Sequence, residues 1–458
     1  MAGRFHLVTL GCPKNAVDSD KIAAALGADG LVSTDDVHAA DVVVVNTCAF
    51  IEDARRESVD TILALADLKA DGARLVVTGC MAERYGDELA DALPEADAVI
   101  GFAGAGAIAG AVGTAGAVTF SGRRGVAADA PTGVRDLLEL PRAAPSAPWA
   151  YLKVAEGCDR ACAFCAIPSF RGKQRSRTPD SIVAEARDLV HGGVRELVLV
   201  AQDLAWYGRD AGDVGALAPL LRRLDAELAG DGLARVRLLY LYPSEVKDPL
   251  VSTMLEFDTV VPYFDLSLQH AARGLLARMA RWGSGDRFLD AITAIRAQAP
   301  DAAFRSSFIV GFPGETESDH DELLAFLRAA ELDWAGFFPF SPEEGTAATD
   351  LDDRVPESLM AERIRECEEL QTGITQAARD ALCAEAAPLA VLIDGEADGR
   401  AVGRTHREAP EIDGVVFVEV DEAGTPPAPG TIVDAVATEA LGPDLFARVV
   451  TGVAGVAR

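Results

Sequence analysis

Long apolar runs are missing from this chain of 458 residues. No stretch reaches the ~20 apolar residues that a membrane-crossing helix needs, so a membrane is not among the expected partners. Lysine is scarce, occurring only at Lys14, Lys21, Lys69, Lys153, Lys173 and Lys247, and 42 basic residues face 72 acidic ones for a net charge of −30. Affinity for a phosphate backbone is driven by lysine and arginine. Nucleic acid is therefore not the expected main target, whereas a basic partner would be attracted. The plainer reading of the same acidity is solubility. An export pattern is also missing, since Met1 to Val8 runs straight into strand-like sequence. Clustered cysteines in such a chain read as metal ligands rather than disulfides, which places the protein in the cytoplasm.

Against these absences stands one dense motif. Three of the 8 cysteines, Cys158, Cys162 and Cys165, fall within eight residues at the spacing Cys-x3-Cys-x2-Cys. Thiolates are the usual ligands of iron–sulfur clusters, which normally take four. Three ligands leave one iron open, and an open position points to chemistry rather than structure, by analogy with zinc sites. The alternative is a zinc site completed by a distant His or Cys, although zinc loops favour paired Cys-x2-Cys halves.

The first hundred residues repeat one plan three times. An apolar, β-branched run ends in a small or polar residue and then a cysteine: Phe5 to Cys12, Asp41 to Cys48 and Arg74 to Cys80. Unbroken Val/Leu runs suit parallel strands buried on both faces. Helical patterns at Ser19–Leu26, Ala54–Lys69 and Glu83–Leu93 separate them. In such a βαβ layout the functional crevice lies at the carboxyl ends of the strands, where all three cysteines would sit. Cys12, Cys48 and Cys80 therefore form a second three-thiolate candidate, set against the reading that each is inert core.

Residues from Gly101 are rich in Ala, Gly and Pro; Ala107–Phe120 completes the first unit and Gly125–Pro148 reads as linker. From Trp149 onward six strand-like runs alternate with helices. The strands are Ala150–Ala155, Glu196–Ala201, Val236–Leu241, Tyr263–Leu268, Phe304–Val310 and Ala335–Phe340. The helices are Pro179–His191, Val214–Ala229, Glu245–Leu255, Arg273–Ala299, Ser318–Ala330 and Glu357–Ala384, the first capped by Thr178 with Pro179 at its first position. This order predicts a curved parallel sheet or partial (β/α) barrel with its site at the strand carboxyl ends.

Gln202, Gln269, Gly311, Gly314 and the run from Ser341 to Glu344 fall at those ends; Arg305 and Ser307 lie on an otherwise apolar strand, and a buried arginine needs an anionic partner. The one basic run, Arg171, Lys173, Arg175 and Arg177, reads either as a functional patch or as a solvated loop. Cys367 and Cys383 read as ordinary helix residues. From Pro388 on, five short strands (Leu389–Ile393, Ala401–Arg404, Val415–Val420, Thr431–Thr438, Leu445–Val449) predict a small β-barrel. Residues 386–458 carry twelve acids, five arginines and no lysine, and only Phe417 and Phe446 are aromatic, so the barrel fits a basic protein surface better than RNA.

On these motifs the chain resembles the radical S-adenosylmethionine methylthiotransferase family over almost its whole length. The resemblance implies an amino-terminal methylthiotransferase domain (3–120), a linker (121–143), a radical core (144–385) and a TRAM-like β-barrel (386–452). It implies a four-iron, four-sulfur cluster on Cys158, Cys162 and Cys165 that cleaves S-adenosylmethionine to a 5′-deoxyadenosyl radical. A second such cluster on Cys12, Cys48 and Cys80 would carry the sulfur, to be methylated by a second S-adenosylmethionine.

Gln202, Gln269, Arg305, Ser307, Gly311 and Gly314 are the candidates for positioning that cofactor. The segments Leu10–Asn15, Phe164–Ser169, Leu239–Pro243 and Glu408–Gly414 are similar to the branch that modifies the β-carbon of an aspartate on the twelfth small-subunit ribosomal protein, a basic partner. An electron donor and a sulfur donor are implied as well. The chain departs from the family's pattern at Leu266–Arg273, where proline would precede Leu268-Gln269-His270 and an acidic residue would lie nearer position 273. Two rivals stand beside this reading: a tRNA adenosine methylthiotransferase, and a non-catalytic iron–sulfur carrier.

Overall fold

The computed structural model describes residues 3–102, 104, 118–120, 136–419 and 426–450. Most of the expected Ala107–Phe120 segment, residues 121–135 of the expected linker, Val420 and residues 451–452 lie outside the described residues.

Three α/β and β units follow one another. In the first, β1 (Arg4–Thr9), β2 (Val32–Ser33), β3 (Val42–Thr47), β4 (Arg74–Gly79), β5 (Ala98–Ile100) and β6 (Val118–Phe120) form a parallel sheet in the order β2-β1-β3-β4-β5-β6. The helices between them are α1 (Pro13–Ala28), α2 (Glu52–Leu68) and α3 (Cys80–Ala92). The valine run of β3 explains itself by period two. Val43 and Val45 pack with Ile62, Leu65 and Leu89 on one face, and Val42 and Val44 with Ile22 and Leu26 on the other. Leu137 and Leu140, in the stretch read as linker, are buried on that second face, and Lys21 donates to the Leu138 carbonyl at 2.5 Å.

The second unit has six parallel strands in two hydrogen-bonded triplets. The first triplet contains β7 (Trp149–Lys153); the pair β8 (Ala155–Glu156) and β9 (Arg175–Ser176) is antiparallel and flanks the cysteine loop. Then come β10 (Glu196–Val200) and β11 (Arg235–Leu238), followed by the second triplet, β12 (Tyr263–Gln269), β13 (Ala303–Val310) and β14 (Trp334–Pro339). Single bridges at Val236–Val260 and Leu241–Leu266 join the triplets into a half-barrel. Thr178 caps the helix Pro179–His191 as expected, accepting from the Ser181 amide at 3.2 Å. The expected single helix Arg273–Ala299 is two, Arg273–Arg278 and Gly285–Arg296. The break follows from Gly283 at φ +125° and from Ser284, whose side chain starts the second helix by accepting from Arg287 N.

β10 shows how the half-barrel is filled. Leu197 and Leu199 face outward onto Ile182, Ala186, Leu220 and Leu224, while Val198 and Val200 face the concave side. That side is covered by Val17 of α1 and by Ala409 and Ile412, which come from the third unit. The third unit is a closed barrel of β15 (Pro388–Ala397), β16 (Arg400–Arg404), β17 (Val416–Glu419), β18 (Ile432–Leu441) and β19 (Asp444–Val449), in the order β15-β16-β17-β19-β18. The segment between β16 and β17 leaves the barrel and enters the half-barrel. Tyr151 donates to the Pro410 carbonyl at 3.0 Å, Tyr263 to Asp413 at 2.6 Å and Trp334 to the Arg407 carbonyl at 2.6 Å. At the amino ends of β10 and β11, Arg237 donates to Glu196 at 2.7 Å and Arg404 to Glu196 at 2.9 Å, all three fully or almost fully buried.

Candidate active site

Cys12 caps α1 just past β1, Cys48 follows β3, and Cys80 opens α3 directly after β4. The strand order reverses between β1 and β3, and a ligand crevice is expected beyond the carboxyl ends of strands at such a switch point. Gly11, at φ +92°, lets the chain turn there: an added Cβ would lie 2.7 Å from the Cys48 Cβ and 2.9 Å from its Sγ. The three thiols feel one another's charge. Burial first, then Cys80 and Cys12, push the Cys48 thiol up to about 12. Burial raises Cys80 too, against Arg171. For Cys12, burial opposes the thiolate but Lys14 and Arg171 outweigh it, so its pKa lies below the ordinary thiol value. Three converging soft donors with two buried cations beside them fit a thiolate-ligated iron–sulfur cluster.

Cys158, Cys162 and Cys165 lie in the loop after β8. The loop is fastened by Cys158 N–H donating to the Gly172 carbonyl at 3.1 Å and Ala163 N–H to the Met279 carbonyl at 2.9 Å. Gly157, at φ +81°, is pressed so closely against the Lys173 carbonyl that a Cβ would overlap it. The Arg160 amide donates to Cys158 Sγ at 3.4 Å and Arg281 to Cys162 Sγ at 3.5 Å. Burial raises Cys158 to about 11 and Cys165 to about 12, with Cys162 adding to both. This set also fits a cluster held by three thiolates.

A buried polar bridge joins the two sets. Arg171 donates to Cys80 Sγ from Nε at 3.3 Å and from Nη2 at 3.0 Å, to Asn15 at 2.6 Å, and to Glu156 at 2.7 Å. Glu156, two residues before Cys158, also accepts from Lys153 at 2.8 Å, from Gln202 at 2.6 Å and from Gly157 N–H at 3.1 Å. Asp18 of α1 completes the bridge by accepting from Lys153. Burial works against the Glu156 charge, yet Arg171 and Lys153 hold its carboxyl far below the usual range. The basic run divides: Lys173 and Arg175 are exposed, whereas Arg171 and Arg177 are buried, and Arg177 pairs with Glu185 at 2.7 Å. Its sequence signal was position, an arginine close behind the cysteine loop in an acidic chain.

The remaining candidates are engaged mostly with the chain itself, and Gln269, Arg305 and Ser307 are neighbours on the paired strands β12 and β13. Gln202 belongs to the bridge. Gln269 ends β12 at φ +74°, where the register with β13 shifts. Arg305 finds its anions within the chain, Asp265 at 3.2 Å and Asp413 at 3.4 Å. Ser307 lies opposite Gly336 of β14. Gly311 and Gly314, at φ +82° and +87°, make close approaches to the chain itself: a Cβ at Gly311 would overlap Met360, and one at Gly314 would come 2.7 Å from the Arg278 guanidinium. Composition alone did not show Lys14, whose Nζ lies 3.4 Å above the Tyr240 ring, or buried Glu343, which pairs with Arg55 and, at 2.7 Å, with Arg84 and so ties the first unit to the loop after β14. Cys367 is buried in the core and Cys383 packs against the barrel, away from both sets.

Known proteins share this arrangement. Residues 4–101 match the uncharacterized protein family UPF0004, residues 152–327 the radical SAM superfamily, and residues 388–450 the TRAM domain. The ribosomal protein uS12 methylthiotransferase RimO of Cutibacterium acnes is 43% identical over 97% of this chain and 97% of its own length. The RimO of Streptomyces coelicolor is 43% identical over 97% of this chain and 96% of its own length. Among solved structures, the radical S-adenosylmethionine methyltransferase TsrM from Kitasatospora setae superposes with a TM-score of 0.53 at 15% identity, covering 76% of this chain and 74% of its own, a likeness of fold. Relatives this similar along almost the whole of both chains settle the family: the chain belongs to the RimO family of radical SAM methylthiotransferases.

Proposed function

We propose that this protein adds a methylthio group to the β-carbon of an aspartate on ribosomal protein uS12, the protein named in its relatives. The observation that carries the reading is the pair of three-cysteine sets joined through Arg171, one set on each α/β unit. Cys158, Cys162 and Cys165 would hold one four-iron, four-sulfur cluster, and Cys12, Cys48 and Cys80 a second. Bound with S-adenosylmethionine, these groups supply the one-electron cleavage and the sulfur that an unactivated C–H bond demands, beyond the reach of acid–base side chains.

The chain's own residues orient and enclose that chemistry. Glu156 and Arg171 fix the approach of the two cysteine sets, and their charges cancel within the protein. Val17, Ala409 and Ile412 close the concave side of the half-barrel, so the strand carboxyl ends remain as its working face. A basic ribosomal protein, an electron donor and a sulfur donor are the partners of this reading, and the cytoplasm is its setting. No described helix is long and apolar enough to cross a membrane.

The acidic carboxyl-terminal barrel favours protein over tRNA as substrate. Arg404 and Arg407, two of its five arginines, are engaged with Asp394, Glu196 and Asp333 and offer little to phosphate. Mass spectrometry of uS12 from cells with and without this gene tests the assignment. A methylthio adduct on aspartate that vanishes with the gene is expected; methylthio-adenosine in tRNA that vanishes instead would overturn it.

A further inference from the structure

Buried cations in this molecule come with carboxylates. Lys21 has Glu185 at 3.4 Å, Lys153 has Glu156 at 2.8 Å, Arg171 has Glu156 at 2.7 Å and Arg305 has Asp265 at 3.2 Å. Lys14 differs from these four. It is 8% exposed, yet among the described residues no carboxylate lies within ion-pair distance of it. Its ammonium instead rests 3.4 Å above the centroid of the Tyr240 ring. Its anionic neighbour is the Cys12 thiolate, whose charge it favours in turn; an aromatic face attracts a cation without neutralising it, so the ammonium can still receive a carboxylate.

The place of this cation is telling. Lys14 stands two residues after Cys12, in the first turn of α1, at the carboxyl end of β1. Tyr240 follows β11 of the half-barrel, so the contact spans the two units at the strand ends that carry both cysteine sets. The ring is held there at some cost in strain. Tyr240 has φ +65°, and its backbone is pinned by its amide donating to Asp265 at 2.9 Å and its carbonyl accepting from Leu204 N–H at 3.0 Å. The other polar groups nearby are already saturated: Arg171 by Glu156, Asn15 and Cys80, and Lys153 by Asp18 and Glu156.

We propose that Lys14 receives the side-chain carboxylate of the substrate aspartate, so that it distinguishes aspartate from asparagine and sets the neighbouring β-carbon between the two cysteine sets. This role rests on the aspartate reading above and adds to it the residue that recognises the acid. The carboxylate of the methionine part of S-adenosylmethionine shares the same chemistry and is the other source to be told apart.

The test uses the full, cluster-loaded protein and fluorescent peptides carrying the target aspartate of uS12 or asparagine in its place, read by anisotropy. A charge-assisted hydrogen bond predicts that the wild type binds the aspartate peptide roughly ten- to a hundredfold more tightly. Compared at equal iron per chain, Lys14→Met should bind both at the asparagine level, Lys14→Arg should keep a preference for aspartate, and S-adenosylmethionine affinity should be unchanged in both. An aspartate preference that survives Lys14→Met overturns the role of Lys14 alone. Weakened S-adenosylmethionine binding with the preference intact gives the residue to the cofactor and also overturns it. So does a preference lost only in proportion to lost iron. A wild type that binds neither peptide overturns the aspartate assignment together with the role built on it.

Discussion

Arg171 reaches Cys80 with two guanidinium nitrogens, at 3.0 and 3.3 Å, although ninety-one positions separate them in the chain. It thereby joins the unit that begins at β7 to the cysteine set of the first unit. Removing it leaves Glu156 and Asp18 buried with Lys153 as their remaining cation. Arg171→Met should lower stability by ~3–5 kcal/mol, the usual cost of breaking a buried pair, and iron should be lost first from the Cys12/Cys48/Cys80 set. Thermal unfolding and iron per chain check this; full iron at unchanged stability would contradict the bridge.

The two cysteine sets should fail differently. Cys158→Ala should abolish formation of 5′-deoxyadenosine in reduced, reconstituted protein. Cys12→Ala should preserve it while sulfur insertion is lost. Equal loss of cleavage in both variants would refute this division of labour, and a wild type that makes no 5′-deoxyadenosine would favour a non-catalytic carrier.

Acid should loosen the carboxyl-terminal barrel from the half-barrel. Burial opposes the Glu196 charge, but Arg237, Arg404 and Arg235 outweigh it and bring its pKa down to about 2. A carboxylate depressed in the folded state stabilises above its unfolded pKa, near 4.5, and that stabilisation is lost as pH falls from there toward 2. Glu408, held at about 2 chiefly by Arg379 against its burial, acts in the same window. Denaturant midpoints measured from pH 7 to 3 should fall below pH 5. Glu196→Gln should be less stable at pH 7 and show a flatter pH profile; an unaltered profile would show that the pair is not linked to folding.

Gly311 should matter for packing. At φ +82° with Met360 against it, Gly311→Ala brings both strain and overlap. A loss of ~1–3 kcal/mol is expected, part of it restored by Met360→Ala, whereas a cofactor-binding role would leave the double variant weak in S-adenosylmethionine binding.

Much of this molecule is legible in its sequence, and where it is not the reason is specific. The runs Val42–Val45 and Leu197–Val200 announce strands because each face of the sheet is covered, so both phases of the period are apolar. The six clustered cysteines announce themselves by spacing and by their recurrence after strands. Gly283 and Ser284 divide a helix that apolar periodicity alone joins, because a positive φ is a backbone property. Arg171 and Arg177 look like surface charge because their partners, Asn15, Asp18, Glu156 and Glu185, are scattered along the chain. Arg305 is expected to need an anion; Asp265 supplies one from the paired strand β12, whereas Asp413 does so only because a barrel segment enters the half-barrel, which no local pattern encodes.

That entering segment imposes an order on the making of the protein. The half-barrel's last strand ends at Pro339, but Ala409 and Ile412 emerge from a ribosome some seventy residues later. Until then Val198, Val200 and Tyr263 lack part of their cover, and the Tyr151 hydroxyl lacks the Pro410 carbonyl. The half-barrel of a nascent chain is thus complete in strands but open on its inner wall until Ala409 and Ile412 have emerged, and a chain cut short before residue 405 never closes it.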